Sequence, residues 1–231
     1  MAKVKYGAMV TDARGSIDGV VYSRSQYGAY VRVKVSPSQP QTPYQLNVRQ
    51  TLASLAQAWG SVLTPEQRAD WNVFSAAHPI TDVFGNSQIL SGIACYCRVN
   101  AVIIAAGGAR IDDAPPTFAV DPLTTLTITM SAAAQSVSMA FGATPLAAGT
   151  KLYIWATPKL LPGRDFYKPL LRFIGCSAAA QATPFVATTL WTTRFPAAFI
   201  LGDRVAFIVA VVDPATGAVT VGLSQVVTAV A

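Results

Sequence analysis

Charge is scarce in this sequence. Asp, Glu, Lys and Arg make up 12% of 231 residues, about half the usual ~25%. Hydrophobic residues make up 52%. A disordered chain would be charge-rich and poor in apolar residues, so disorder is excluded as the main state. A chain of this composition packs tightly or hides its surface against partners.

Histidine is nearly absent. His78 is the single one, so imidazole-based nucleophile activation would have to use it. It precedes Pro79 at an expected helix end, where the dipole favours histidine, and a C-cap or surface role is expected. Glutamate is equally rare: of 11 acidic residues only Glu66 is Glu, and it falls in an expected helix first turn, where a carboxylate suits the dipole. Asp112-Asp113 is the one adjacent acidic pair. Neighbouring side chains diverge, and no spacing nominates the two carboxylates across a cleft that glycoside hydrolysis needs.

Other absences narrow the classes further. No run of ~18 apolar residues is uninterrupted; the best stretch, 89–106, is broken by Ser91, Gly92, Arg98 and Asn100. No membrane span is therefore expected. Lys3 and Lys5 have no apolar stretch behind them, so no secretory signal is expected. Gly107-Gly108 follows a helical pattern and reads as a cap, whereas phosphate-cradling glycines lie between a strand and a helix. Three cysteines occur, two as Cys95-Tyr96-Cys97. This C-x-C spacing is no zinc or redox signature, and on a helix the two thiols point to different faces. Buried free thiols are expected for Cys95, Cys97 and Cys176, with a disulfide or metal as the alternative. These absences favour a chain with no catalytic, cofactor or metal site.

What charge there is lies at one end. Residues 1–50 carry seven basic groups against two acidic ones, net +5, while the remainder is net +1. Residues 1–36 read as a β-ribbon arm, with short strands at 6–11, 17–22 and 30–35. In the last, Val31, Val33 and Val35 alternate with Tyr30, Arg32 and Lys34. Tyr22, Tyr27 and Tyr30 interleave with Arg24, Arg32 and Lys34, a mixture that single-strand nucleic-acid binders use. Seven scattered charges are sparse for such a binder, so nucleic acid is not the expected partner and a solvated ribbon face or docking surface is.

Residues 36–41 read as a proline-stiffened connector. Residues 37–109 then read as a three-helix region. Thr42-Pro43-Tyr44-Gln45 and Thr64-Pro65-Glu66-Gln67 are matching helix starts: N-cap Thr, Pro at N1, Gln at N3. The first helix is expected to about Trp59, burying Leu52, Leu55, Ala56, Trp59 and then Leu63. The second is expected over 65–77, burying Trp71 and Phe74. After a loop at 80–86, the third is expected over 88–106 with Ile89, Ile93, Cys97 and Ile104 on one face, and with Gly92 marking a close backbone approach.

Residues 110–116 read as a linker. Seven strands are expected in 117–231, at 126–131, 136–141, 151–157, 170–176, 185–190, 204–212 and 218–227. Turns at 142–145, 162–165, 202–203 and 213–217 separate them. That count and spacing fit an immunoglobulin- or fibronectin-III-like sandwich. The expected fold class is therefore α+β: a β-ribbon and three helices, then an all-β sandwich.

Three segments resemble a known pattern when taken together. They are 15–24 with 27–32; Gln41-Thr42-Pro43-Tyr44-Gln45 with Ala58-Trp59, Thr64-Pro65-Glu66-Gln67-Arg68 and Trp71-Asn72; and Phe84-Gly85-Asn86 with Leu90-Ser91-Gly92 and Asn100. Their order, over about residues 1–106, resembles a family of small structural proteins of tailed bacteriophages and prophages. The sequence departs from that pattern at 93–97, where larger aromatics are expected. The resemblance implies a virion setting, assembly in the host cytoplasm, other virion subunits and copies of this chain as partners, and a displayed sandwich. Tail-side placement is preferred over capsid decoration. Tyr22, Arg24, Tyr27, Tyr30, Arg32 and Lys34 are the candidate docking residues. A glycan- or host-binding sandwich using Tyr153, Trp155, Tyr167 and Trp191 is the alternative; as stacking residues these compete with a role as core aromatics.

Overall fold

The structure, a computed structural model, describes residues 2–35, 41–82, 84–142, 144 and 146–231. The connector expected at 36–41 lies outside the described residues but for Gln41, as do two residues of the 142–145 turn. The chain divides into two compact units, Met1–Cys95 and Tyr96–Ala231.

The N-terminal unit opens with four short strands: β1 (Ala2–Lys3), β2 (Gly15–Ile17), β3 (Val20–Ser25) and β4 (Gly28–Val33). They form one antiparallel sheet in the order β1-β4-β3-β2. The strand expected at 6–11 is not formed; β1 takes the sheet edge instead, and 8–9 turn. Asp18-Gly19 makes a two-residue hairpin between β2 and β3, with Asp18 at φ 49°, the positive φ that this dipeptide tolerates.

Helices α1 (Pro43–Ser61) and α2 (Pro65–Ala77) both begin in complete capping boxes: Thr42 with Gln45, and Thr64 with Gln67. Each threonine accepts the N–H of its glutamine while the glutamine side chain takes the threonine N–H. A cap of this kind is worth about 1 kcal/mol. Arg68 closes the connection, its Nη2 donating to the carbonyls of Gly60 (3.0 Å) and Leu63 (2.9 Å). Leu55, Ala58, Leu63, Trp71 and Phe74 are buried, but Leu52 and Ala56, expected in the same stripe, are exposed. The stripe that α1 buries runs instead through Thr51, Leu55, Ala58 and Trp59, which are buried or half-buried, and Leu52 and Ala56 lie beside it.

The expected 80–86 loop is a small hairpin, β5 (Ile80–Thr81) paired with β6 (Ser87–Gln88). Helix α3 (Gly92–Ala105) therefore starts four residues later than expected. Gly92 is its first residue. Its N–H donates to Asn72 Oδ1 (3.0 Å), and a Cβ there would lie 2.5 Å from that oxygen and 3.1 Å from Trp59. The close neighbours are thus side chains, not the backbone expected. The buried face of α3 is also another one: Cys95, Tyr96, Val99, Asn100 and Ile103 are buried, while Ile89, Ile93 and Ile104 are exposed. Nearly every residue of α3 is apolar, so periodicity could not select between faces.

The division into units falls inside α3, ahead of the 110–116 segment expected to separate the domains. That segment is held. Asn100, fully buried, accepts the Ile111 N–H at 2.8 Å and donates to the Ile111 carbonyl at 3.1 Å and the Tyr96 carbonyl at 3.2 Å.

The C-terminal unit continues with β7 (Leu126–Ser131), β8 (Ser136–Phe141), β9 (Lys151–Ala156), β10 (Arg172–Cys176), β11 (Phe185–Val186), helix α4 (Thr188–Arg194), β12 (Arg204–Val212) and β13 (Leu223–Thr228). One sheet has the order β11-β8-β7, the other β10-β9-β12-β13. Alternate residues of both sheets meet in one core: Ile128, Met130, Val137, Met139, Leu152, Ile154, Val205, Phe207, Val209 and Val211. Full burial of each such side chain contributes roughly 1.5–3 kcal/mol. Seven antiparallel strands in two sheets, with connections crossing between them, make a fibronectin-III-like sandwich. The α+β expectation holds.

One expected strand is mostly a helix. Residues 185–190 pair only over Phe185–Val186, then turn into α4. Its β-branched threonines favour a strand. Tertiary packing decides otherwise: Trp191 is fully buried, its ring 4.4 Å from that of Phe199, and its Nε1 donates to the Thr157 carbonyl at 3.2 Å. The end of α3 packs on the outer face of the four-stranded sheet, where Ala106, Tyr153 and Val212 share a second small core with Val102, Trp155 and Phe173. Gly217, at φ 72°, brings the β12–β13 loop against α3; a Cβ there would lie 2.8 Å from Val99.

Candidate functional site

The ribbon sheet carries the six candidate docking residues, and its register decides which of them can act together. Directly opposed residues of an antiparallel pair share a face. Tyr22 opposes Val31 and Val20 opposes Val33, so Tyr22 and Arg24 share one face with Ile17, Val20, Val31 and Val33. Ser23 opposes Tyr30 and Val21 opposes Arg32, which puts Tyr30 and Arg32 on the other face with Lys3. The six therefore do not form one surface. The first face is largely apolar, with Ile17 71% and Val33 66% exposed. Val35, expected on the same apolar stripe, follows β4 and is exposed as well.

Tyr27 is structural. It lies in the turn between β3 and β4, its hydroxyl accepts the Ser91 N–H at 3.3 Å, and its carbonyl accepts from Gln88 Nε2 at 3.2 Å. Lys34 follows β4, its N–H donating to the Gly19 carbonyl. Arg24, Arg32 and Lys34 are exposed, whereas Tyr22, Tyr27 and Tyr30 are half-buried.

Asp82 organises the neighbouring hairpin and was not anticipated. Its Oδ1 accepts the N–H groups of Phe84 (2.8 Å) and Asn86 (2.9 Å), and its Oδ2 accepts from Lys3 Nζ (3.1 Å). Burial works against ionisation of this carboxyl, but the Asn86 N–H, the Lys3 ammonium and the Phe84 N–H outweigh it and hold its pKa at about 2. The signal was an Asp followed by Gly85-Asn86, the composition of a side-chain-capped turn. Two open depressions lie beside the sheet, one of about 520 Å³ along Tyr27, Gln88 and Ser91 and one of about 650 Å³ along Lys3, Ile80, Asp82 and Phe84. The titratable groups of the second, Lys3 and Asp82, neutralise each other.

The remaining candidates fall in structural positions. His78 is the C-cap of α2; its Nδ1 lies 3.0 Å from the Phe74 carbonyl, so that nitrogen carries a proton, and its ring lies 4.3 Å from that of Phe74. Asp112 is bound in fork geometry by Arg110, at 2.8 and 3.1 Å, and does not act as a pair with Asp113. Burial, opposed by Arg110 and aided by Asp112, pushes the nearby Tyr96 hydroxyl up to about 12. None of the three cysteines is in a disulfide; Cys95 is buried, and Cys97 and Cys176 are half-buried. Burial raises the Cys97 thiol, and, against the pull of Lys151, raises that of Cys176 to about 11. Among the described residues no three metal-ligating side chains gather.

The aromatic candidates for sugar stacking are not an exposed platform. Trp191 is core, Tyr153 is 7% exposed, and Trp155 and Tyr167 are half-buried. Tyr153, Trp155 and Phe173 form one packed cluster, with ring centroids 4.4–6.1 Å apart.

No family model and no curated protein matches the chain. Among solved structures, a Fn3-like protein from Clostridium thermocellum is similar over 49% of this chain and 96% of its own, at 12% identity and a TM-score of 0.32. A family 76 glycoside hydrolase from a bovine Bacteroides thetaiotaomicron strain is similar over 48% of this chain, at 9% identity and a TM-score of 0.32; the match spans 20% of that enzyme. The sandwich assignment rests on the strand order and shared core.

Proposed function

We propose that this chain is a non-enzymatic structural protein of a tailed-phage virion, docked through its N-terminal unit and displaying the sandwich, on the tail side in preference to the capsid lattice. One observation carries the reading. Among the described residues of Met1–Cys95, fourteen large apolar side chains are exposed while six apolar residues are buried. A free-standing surface of that kind is costly, and exposed apolar patches mark protein interfaces. The ribbon adds unpaired backbone on the outer edge of the three-residue β2, beside the apolar Ile17–Val33 face, which suits strand addition to a neighbouring subunit. The resemblance over 1–106 supplies the virion setting.

Quantitative mass spectrometry of purified particles tests this. The chain is expected at fixed stoichiometry, with a few to tens of copies for a tail component and on the order of hundreds for a lattice component, following the symmetry of each. A chain that stays in the soluble fraction of the lysate while intact particles lack it would overturn the proposal.

A further inference from the structure

The end of the sandwich farthest from the β12–β13 loop has an unusual surface. β9 ends and β10 and β12 begin there, with Arg172 opposite Ala156 and Phe207 opposite Ala156. Two long connections meet at this end: 157–171 between β9 and β10, and 195–203 between α4 and β12. They are joined rather than loose. The Leu160 N–H donates to the Arg204 carbonyl at 2.8 Å, Lys159 pairs with Asp203 at 2.6 Å, and Arg204 pairs with Asp165 at 3.4 Å.

On this braced platform four large apolar side chains stand out: Leu161 (69% exposed), Phe166 (68%), Ile200 (65%) and Leu201 (66%). Around them the cations exceed the carboxylates. Asp203 and Asp165 are spent on Lys159 and Arg204, while Arg164, Lys168 and Arg172 are exposed with backbone carbonyls or solvent as their company. The tip carries five basic groups against two acidic ones, while the rest of residues 51–231 carries five against seven, so this local excess is specific to the tip.

We propose that this tip docks on an anionic lipid surface, Leu161, Phe166, Ile200 and Leu201 entering the headgroup–acyl boundary and Arg164, Lys168 and Arg172 meeting the lipid phosphates. A protruding set of aliphatic and phenyl side chains needs a partner that yields around it, and the interfacial region of a bilayer does so. The cationic rim supplies the charge complementarity that selects anionic headgroups. An acidic protein would need a preformed apolar pocket as well as the charge, and two copies of the tip would set cation against cation. The inference stands on the sandwich alone and does not depend on the virion reading.

Flotation of the full chain with vesicles tests it. Binding is expected to phosphatidylcholine vesicles carrying about a third phosphatidylglycerol, not to phosphatidylcholine alone, and is expected to weaken with salt. Leu161→Asp with Phe166→Asp, both on exposed loop positions, should lower binding at least about tenfold at an unchanged melting temperature. Ile200→Ser with Leu201→Ser is the second variant should the first not fold. Lys168→Gln should cost about fivefold. No flotation on anionic vesicles, or flotation that both double variants leave intact, overturns the proposal. So does capture on poly-glutamate beads without vesicle binding, or a dimer in sedimentation equilibrium that Leu161→Asp with Phe166→Asp dissociates.

Discussion

Replacing Asn100 isolates the contribution of a single buried amide. Its side chain holds the Ile111 peptide on both sides, accepting the N–H at 2.8 Å and donating to the carbonyl at 3.1 Å, and also reaches the Tyr96 carbonyl. Asn100→Ala removes these partners; Asn100 itself has no solvent exposure, and Ile111 is half-buried. An unsatisfied buried group costs about 1–3 kcal/mol. The Tyr96 carbonyl belongs to the α3 ladder, so two groups of Ile111 bear the loss; half-burial keeps each at about 1–2 kcal/mol, the lower part of that range, and about 2–4 kcal/mol is expected. Unfolding entropy near 2.1 cal/mol/K per residue over the residues of Tyr96–Ala231 converts this to a fall in Tm of about 7–14 °C. Scanning calorimetry reads the fall, and amide exchange at Ile111 locates it. Asn100→Asp adds a sign. A carboxylate facing two carbonyls in a buried site has a folded pKa above its unfolded value of about 3.9. The unfolded state then ionises first, so the variant is least impaired below about pH 4 and loses stability as pH rises toward its folded pKa. A Tm for Asn100→Ala within a degree of the parent, with Ile111 still protected, would refute the reasoning.

Three further outcomes are expected. Trp191→Ala removes the largest side chain between the sheets and the bond to Thr157; a loss of about 3–5 kcal/mol in urea unfolding of the sandwich checks this. Gly217→Ala places a Cβ 2.8 Å from Val99 on a residue at φ 72°, and a loss of about 1–3 kcal/mol in the same assay measures that strain. Asp82, with its folded pKa lowered to about 2, stabilises the N-terminal unit fully above its unfolded pKa of about 4 and progressively less as pH falls through about 2; Asp82→Asn should flatten that part of the acid unfolding curve followed by circular dichroism.

Much of the framework was legible because local rules and tertiary demands agree there. Two Thr-Pro-x-Gln starts fixed α1 and α2, and three sandwich strands match their expected bounds: 126–131 and 136–141 because alternation in them coincides with burial on one side, and 204–212 because a strand-length apolar run fills a place buried on both faces. Reading failed where several solutions satisfy the same pattern. α3 is apolar nearly all round, so its buried face follows from what packs on Val99 and Ile103 and not from spacing. The threonines of 188–193 would suit a strand, and the burial of Trp191 makes them a helix. The two-residue turn Gln26-Tyr27, which pairs Ser25 with Gly28, sets the β3–β4 register that separates Tyr22 and Arg24 from Tyr30 and Arg32. That separation depends on pairing across strands, which no single segment encodes.

The seam between β13 and β7 has a consequence for crowding. Gln225 Oε1 accepts the Ile128 N–H at 2.8 Å, and Val230 exchanges bonds with the Met130 carbonyl and the Ala132 N–H. Backbone groups that would otherwise invite a foreign strand are thereby occupied from within. Strand addition from a neighbouring copy is closed off along β7 and β13, and backbone pairing between crowded copies is confined to the opposite edges, β10 and the two-residue β11.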